Sequence, residues 1–276
     1  MPRLAGYLVD GLSIGGIETC IDFPELKLCF DLGRCPDPAV QRPTVLFTHA
    51  HMDHMGGVAW HASTRELRQL SPPTYVVPRE NAADFARLFE VWRALDRGDL
   101  PHRMVELGPG DEFELPCKLI ARPFRSPHRV PTQGYVLWKR HRKLRPEYLG
   151  HSSDELRELA TALGPALYDW NETPEIAFTG DTLIEVLERE PTLLRARLLV
   201  IEVTFVDERV SVEKARSKAH IHLDEILERA SLFENEAILF THFSSRYRDS
   251  DVLRALERLP ASLRSRVTPL LASNSA

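Results

Sequence analysis

The chain predicts an α/β protein in which two mixed β-sheets pack face to face with helices outside, and three features carry that expectation. Short apolar runs crowd the first part of the chain and helical patterns are interspersed later. The apolar runs at 45–47, 176–178, 198–201 and 237–240 each end in polar residues, namely Thr48 and His49, Thr179 to Asp181, Glu202, and Thr241 and His242. Strands that deliver polar groups at their C-terminal ends build a site along one edge. No internal repeat or low-complexity linker interrupts the 276 residues, so a single domain over 1–276 is expected.

Taken in order, residues 4–35 alternate apolar runs with turns at Gly15-Gly16 and Pro24, the pattern of a strand meander. Gly56-Gly57 opens a helix that Pro72-Pro73 stops, and 74–77 is a strand. Over 81–95, Phe85, Leu88, Phe89, Trp92 and Leu95 fall at helical spacing, which predicts a core-facing stripe. Short strands follow at 118–121 and 134–138, joined through Ser126-Pro127-His128. The segment from 139 to 171 is polar, charged and without a strong strand signal, so it is expected to protrude. Within it Ser152-Ser153-Asp154-Glu155 has the form of a capped helix start.

The loop after the 45–47 run reads His49-Ala50-His51-Met52-Asp53-His54, four potential ligands in six residues. A solvated turn would call for Gly, Asn or Pro rather than three imidazoles. One short loop can aim His49 and His51 at one ion and Asp53 and His54 at a neighbour. Imidazole with carboxylate suits zinc, and manganese or iron accepts the same donors. The nearest downstream cysteine, Cys117, lies in no C-x-x-C pattern, which favours an open catalytic pair over a closed structural zinc. His128, Asp181 and His242, each near a strand end, can complete two sites.

Composition narrows the classes. The formal net charge of −5 argues against a protein that coats nucleic acid with its whole surface. Two local basic runs remain, Arg122 with Arg125, His128 and Arg129, and Lys139, Arg140, Arg142, Lys143 and Arg145. No apolar run approaches the roughly 18 residues of a membrane span. Cys20, Cys29, Cys35 and Cys117 sit in apolar or turn settings without a secretory signal, so reduced thiols in a cytoplasmic protein without membrane attachment are expected.

Nearly the whole chain resembles the metallo-β-lactamase superfamily and, within it, the ribonuclease Z family in its short plant-type form. The resemblance rests on Gly11-Leu-Ser-Ile-Gly-Gly-Ile-Glu-Thr-Cys20, Phe30-Asp-Leu-Gly-Arg-Cys-Pro36, the metal loop, Ala177-Phe-Thr-Gly-Asp-Thr182, Glu202-Val-Thr-Phe205, Ala219-His-Ile-His222 and Thr241-His-Phe-Ser-Ser-Arg-Tyr247. It implies an αββα four-layer fold and two zinc ions per chain. His49, His51 and His128 would hold one, Asp53, His54 and His242 the other, with Asp181 between them. It further implies removal of the 3′ trailer of precursor tRNA, a homodimer, Asp53 as the residue orienting the attacking water, and His220 held by Glu202 as the proton donor to the leaving oxygen.

Two positions depart from the family pattern. Its usual Glu-Ala-Thr-Phe is Glu202-Val203-Thr204-Phe205 here, and its usual His-Ser-Thr is His220-Ile221-His222. The long Gly- and Pro-rich arm of the bacterial-type enzymes is not recognisable between His128 and Asp181, which leaves Lys139, Arg140, Arg142, Lys143 and Arg145 as the candidate tRNA grip. His61, His102, His141, His151 and His222 read as structural or surface residues. Another phosphodiesterase, or a small-ester or thioester hydrolase, is the alternative on the same fold. Thioesterases of this type add a C-terminal helical domain, for which the residues after His242 leave little room.

Overall fold

The computed structural model describes residues 1–271. A short ribbon, β1 (Arg3–Leu4) and β2 (Tyr7–Leu8), precedes the first large sheet. That sheet takes β3 (Asp10–Gly15), β4 (Glu18–Phe23), β5 (Leu28–Phe30), β6 (Thr44–Leu46), β7 (Thr74–Pro78) and β8 (Arg103–Leu107). Pairing is antiparallel from β3 to β5 and parallel from β5 to β8. The second sheet holds β9 (Phe113–Glu114), β10 (Leu119–Arg125), β11 (Gln133–Leu144), β12 (Tyr168–Phe178), β13 (Leu198–Glu202), β14 (Ala237–Thr241) and β16 (Val267–Pro269). It is antiparallel up to β12 and parallel beyond it. β15 (Phe243–Ser244) leaves β14 and returns to the first sheet beside β3. Both mixed sheets are thus as expected.

The layers follow from where each strand puts its side chains. One apolar cluster joins Ile21, Phe30, Leu46 and Val76 of the first sheet to Tyr135, Ile176, Val200 and Leu239 of the second, so the sheets face each other across it. The opposite face of the first sheet is covered by α2 (Val58–Leu67) and α3 (Ala82–Asp96), through Val58, Ala62, Phe85 and Phe89. The outer face of the second sheet lies under α5 (Val186–Arg189), α7 (Leu223–Glu228), α8 (Asp249–Leu256) and α9 (Ala261–Arg264). The result is the αββα sandwich. No helix among the described residues is long and apolar enough to cross a membrane.

Two expectations are corrected. On α3, Phe85 and Phe89 are buried, but Leu88, Trp92 and Leu95 are 37%, 44% and 70% exposed. Helical spacing places residues on a common stripe, whereas burial requires a partner for its full width, and here only the phenylalanines reach Tyr75 and His102. The segment 139–171, expected to carry no strong strand signal, is strand at both of its ends. β11 runs to Leu144 and β12 starts at Tyr168, forming a long hairpin tipped by α4 (Ser153–Leu163). Its ladder lacks apolar alternation because cross-strand polar pairs replace it. Arg140 faces Glu172 at 2.7 Å, and Arg142 lies over the rings of Tyr168 and Trp170. Ser152 and Glu155 cap α4 reciprocally, as the sequence predicted.

Candidate metal centre and active site

The carboxyl ends of the parallel strands converge on one edge of the sandwich. β6 leads through Thr48 into the metal loop, whose second half is a single helical turn, α1 (Met52–Met55), with His51 at its N-cap. The turn is pressed against the exit of β5. Leu32 N–H donates to the His54 carbonyl at 2.6 Å, and the approach at Gly33 is so close that a Cβ there would stand 2.3 Å from the Asp53 carbonyl oxygen. β12 supplies Asp181, and β13 supplies Glu202. His242, at φ 63°, is the joint where the chain leaves β14 of one sheet for β15 of the other. A histidine tolerates that left-handed backbone better than a branched side chain would.

Seven residues assemble as two ligand sets. His49, His51, His128 and Asp181 form one, and Asp53, His54 and His242 the other, each with donor atoms within 4.8 Å of one another. Asp181 joins the second set as well, with Oδ1 3.3 Å from His54 Nε2 and 3.4 Å from His242 Nε2. In that set the His54 and His242 Nε2 atoms are 3.4 Å apart, and Asp53 Oδ2 stands 3.7 and 3.5 Å from them. Ligands about 2.0–2.1 Å from one tetrahedral ion are about 3.3–3.4 Å from each other, so these spacings fit such an ion. The first set is more open, with His49 Nε2 3.0 Å from His51 Nδ1 and 3.8 Å from Asp181 Oδ2, and His128 Nε2 4.0 Å from the same oxygen.

The tautomers agree with a metal. His128 Nδ1–H donates to the Ala219 carbonyl at 2.9 Å, which leaves Nε2 as a buried lone pair without a hydrogen-bond partner, aimed into the set. The Thr48 hydroxyl donates to Asp31, so at 3.0 Å it accepts from His49 Nδ1–H. His54 Nδ1–H donates to Asp31 Oδ2 at 2.8 Å. The Thr204 hydroxyl donates to Glu202 and accepts from His242 Nδ1–H at 2.9 Å. In each case the remaining nitrogen turns to the centre, the arrangement expected of metal-ligating histidines. The residues present therefore fit a pair of divalent ions.

Electrostatics separates the imidazoles. Burial drives His49 well below the ordinary histidine range, and His51 and His128 are lowered for the same reason. His54 is equally buried, but Asp181 and Asp31 outweigh burial and push it up. Burial also opposes ionisation of Asp53, yet His242 and the charge on His54 bring it to about 2. Gly16 N–H, in the β3–β4 turn, donates to Asp53 Oδ2 at 2.8 Å and fixes it further.

His220 stands next to both sets and also falls within 4.8 Å of Asp181 and His242 donor atoms as a third grouping. Its Nδ1 is 2.9 Å from Glu202 Oε1 and 3.9 Å from Asp181 Oδ2. Burial lowers its basicity, but the Glu202 carboxylate more than compensates, and its pKa rises to about 9. A protonated imidazole at the mouth of the centre is a proton donor at neutral pH.

The structure thus brings together His49, His51, Asp53, His54, His128, Asp181, Glu202, His220 and His242. It does not bring Lys139, Arg140, Arg142, Lys143 and Arg145 to the centre. Gln133, at the start of β11, bonds the Thr48 carbonyl beside the metal loop, and at about 3.3 Å per residue the basic run lies roughly 20–40 Å farther out along the hairpin. Arg140 and Arg145 are taken up by Glu172, Glu112 and Asp169. The sequence reading missed Asp31, Thr48 and Thr204 as orienting groups, although Asp31 follows the apolar run of β5 just as Glu202 ends β13. Of the histidines set aside, His141 and His151 are exposed, and the other three are structural. His61 is enclosed by Tyr75 and the Ala39 carbonyl, His102 stacks on Phe89, and His222 caps α7. Val203, Ile221 and His222, the altered motif positions, are buried.

This fold and its strand-end His and Asp clusters belong with the beta-lactamase superfamily domain, whose family model matches residues 36–243, and the chain is a member of that superfamily. Within it the chain belongs to the tRNase Z family. It is 43% identical over 270 residues to tRNase Z TRZ1 of Arabidopsis thaliana, covering 97% of this chain and 96% of that protein. It is 37% identical to the chloroplastic tRNase Z TRZ2 of the same plant, covering 97% of this chain and 76% of that one. The short form of human tRNase Z superposes with a TM-score of 0.60 at 18% identity, covering 95% of both chains, a likeness of fold alone.

Proposed function

We propose that the chain is a zinc-dependent endoribonuclease that removes the 3′ trailer of precursor tRNA and leaves a 3′-hydroxyl. The observation that carries this reading is His220, hydrogen-bonded to Glu202 beside two ligand sets that share Asp181, in a chain 43% identical to a tRNase Z. Two divalent ions would activate water and neutralise charge on the phosphoryl group. The chain's own residues do the rest. Asp53, fixed by Gly16, orients the attacking water. As the bond from phosphorus to the 3′ oxygen breaks, His220 gives that oxygen its proton, and Glu202 stabilises the imidazolium beforehand. The products are a tRNA 3′-hydroxyl and a trailer with a 5′-phosphate.

Farther out, Lys139 and Lys143 make no ion pair to any described residue, which supports a role for the hairpin in holding tRNA phosphates. The exposed Leu88, Val91, Trp92 and Leu95 of α3 support pairing of two copies through that helix; Trp92→Glu should then lower the mass measured by light scattering. The test of the reading as a whole is incubation of the purified, zinc-loaded protein with a precursor tRNA bearing a 3′ trailer, mapping the cut and its ends. A 3′-phosphate on the tRNA fragment, or no cut, would refute it.

A further inference from the structure

Phe205, near the mouth of the centre, is 2% exposed; it packs on Val210, Ala215 and Tyr247 and carries two cations against its ring. Lys218 Nζ is 5.6 Å from its ring centroid and the Arg246 guanidinium carbon 5.5 Å. His220 is the imidazole in ring contact with Phe205, at 6.2 Å. Arg129, next to His128, donates to the Ser217 carbonyl and so tucks in beside Lys218. Neither Lys218 nor Arg246 has a carboxylate partner among the described residues; Arg246 spends only its Nε–H, on Ser244 Oγ at 3.0 Å. The neighbouring Arg209 makes the contrast. It also lies on an aromatic ring, that of Tyr247, but is paired with both Asp207 and Asp251.

Two like charges held against one ring repel each other, and a protein of net charge −5 has carboxylates to spare for neutralising them. Left without a carboxylate partner, the two cations are open to an anion from outside the chain. We propose that Lys218 and Arg246 form a clamp for one substrate phosphate, the phosphodiester one nucleotide to the 5′ side of the bond that is cut. The side follows from His220. The clamp meets the centre through Phe205 and His220, and His220 serves the leaving 3′ oxygen, so the clamped phosphate belongs to the tRNA portion and not to the trailer. This inference rests on the proposed nuclease function.

The test pairs protein variants with substrates in which a single phosphate is made neutral. Lys218→Met and Arg246→Gln keep side-chain bulk over Phe205, and unchanged thermal midpoints would show that the fold is kept. A methylphosphonate one nucleotide 5′ of the cut should cost the unaltered protein roughly tenfold or more in kcat/KM, the range of a charge-assisted hydrogen bond. It should cost the double variant little further, while a methylphosphonate on the trailer side costs both proteins alike. The salt dependence of binding should flatten by about 0.7 in log–log slope for the phosphate no longer neutralised. Fully additive losses at the 5′ position would overturn the clamp, and non-additivity on the trailer side would overturn the assignment of side. If the unaltered protein cuts no precursor tRNA, it is the nuclease reading that falls.

Discussion

Asp31, at the end of β5, and Glu202, at the end of β13, apply one device on the two opposing sheets. Each is a buried carboxylate that holds one imidazole directly, His54 at 2.8 Å and His220 at 2.9 Å. Each reaches a second imidazole through a threonine hydroxyl, His49 by way of Thr48 and His242 by way of Thr204. The difference lies in what stands at the second nitrogen. Both imidazoles of Asp31 turn into the ligand sets, so Asp31 only orients. Glu202 orients one ligand and raises the pKa of the other imidazole, His220. On the proposed mechanism, the same kind of hydrogen bond orients a metal ligand on one sheet and a proton donor on the other.

Experiments that break the comparison run from the residue shared by both halves to residues of neither. Asp181→Ala removes the oxygens common to the two sets and should deplete both metals, with loss of activity well beyond the roughly 10–100-fold expected for an orienting residue; elemental analysis and trailer cleavage measure it, and retention of two ions would end the shared-ligand assignment. His220→Ala should cost about 10²–10⁴ in cleavage of precursor tRNA. Hydrolysis of bis(p-nitrophenyl) phosphate, whose leaving group departs without a proton, should suffer far less, and metal content should hold. Equal losses on both substrates would mean that His220 supports the fold or the metals instead.

The two carboxylates can then be set against each other. Asp31→Asn should lower metal affinity by about 10–100-fold and leave the shape of the pH profile alone. Glu202→Gln should move the alkaline limb of kcat/KM to lower pH, since His220 donates only while protonated and loses the partner that raises it to about 9. A limb that stays in place in Glu202→Gln would remove the distinction between the hubs.

The smallest effect concerns an imidazole with no carboxylate at all. His61 is fully buried against Tyr75 and the Ala39 carbonyl, and burial lowers its pKa to about 4. Its folded-state pKa lies below the unfolded value near 6.5, so the unfolded chain takes up the proton first as pH falls. Stability from this residue is intact above about pH 6.5 and declines toward pH 4, by about 1.4 kcal/mol at pH 5.5. Denaturant titrations of His61→Gln should show a shallower acid decline than the unaltered chain; an identical decline would mean that other groups set it.

Much of the site was legible because its ligands are local in sequence or sit at the ends of apolar runs. His49, His51, Asp53 and His54 share one loop, and His128, Asp181 and His242 each follow a strand signal, so residue type and spacing sufficed. The sheets were legible for the same reason, and the cap of α4 was written in four residues. What pairs distant positions was not legible. Asp31 meets His54 across 23 residues, a pairing nothing in the local pattern offers, and Glu202 meets His220 across 18, a pairing that only the family resemblance implied. The stripe of α3 shows the same limit, since periodicity places Trp92 and Leu95 on a helix face but cannot supply a neighbour to bury them. Likewise the basic residues 139–145, expected as a tRNA grip, lie along and just past one strand of a hairpin that leads away from the centre, because the direction of a strand is set by its pairing partners. Sequence by itself determined the chemistry of the ligands and the class of fold, both written in short-range pattern. Only the tertiary structure decided orientation, protonation and burial, which depend on groups brought together from different sheets.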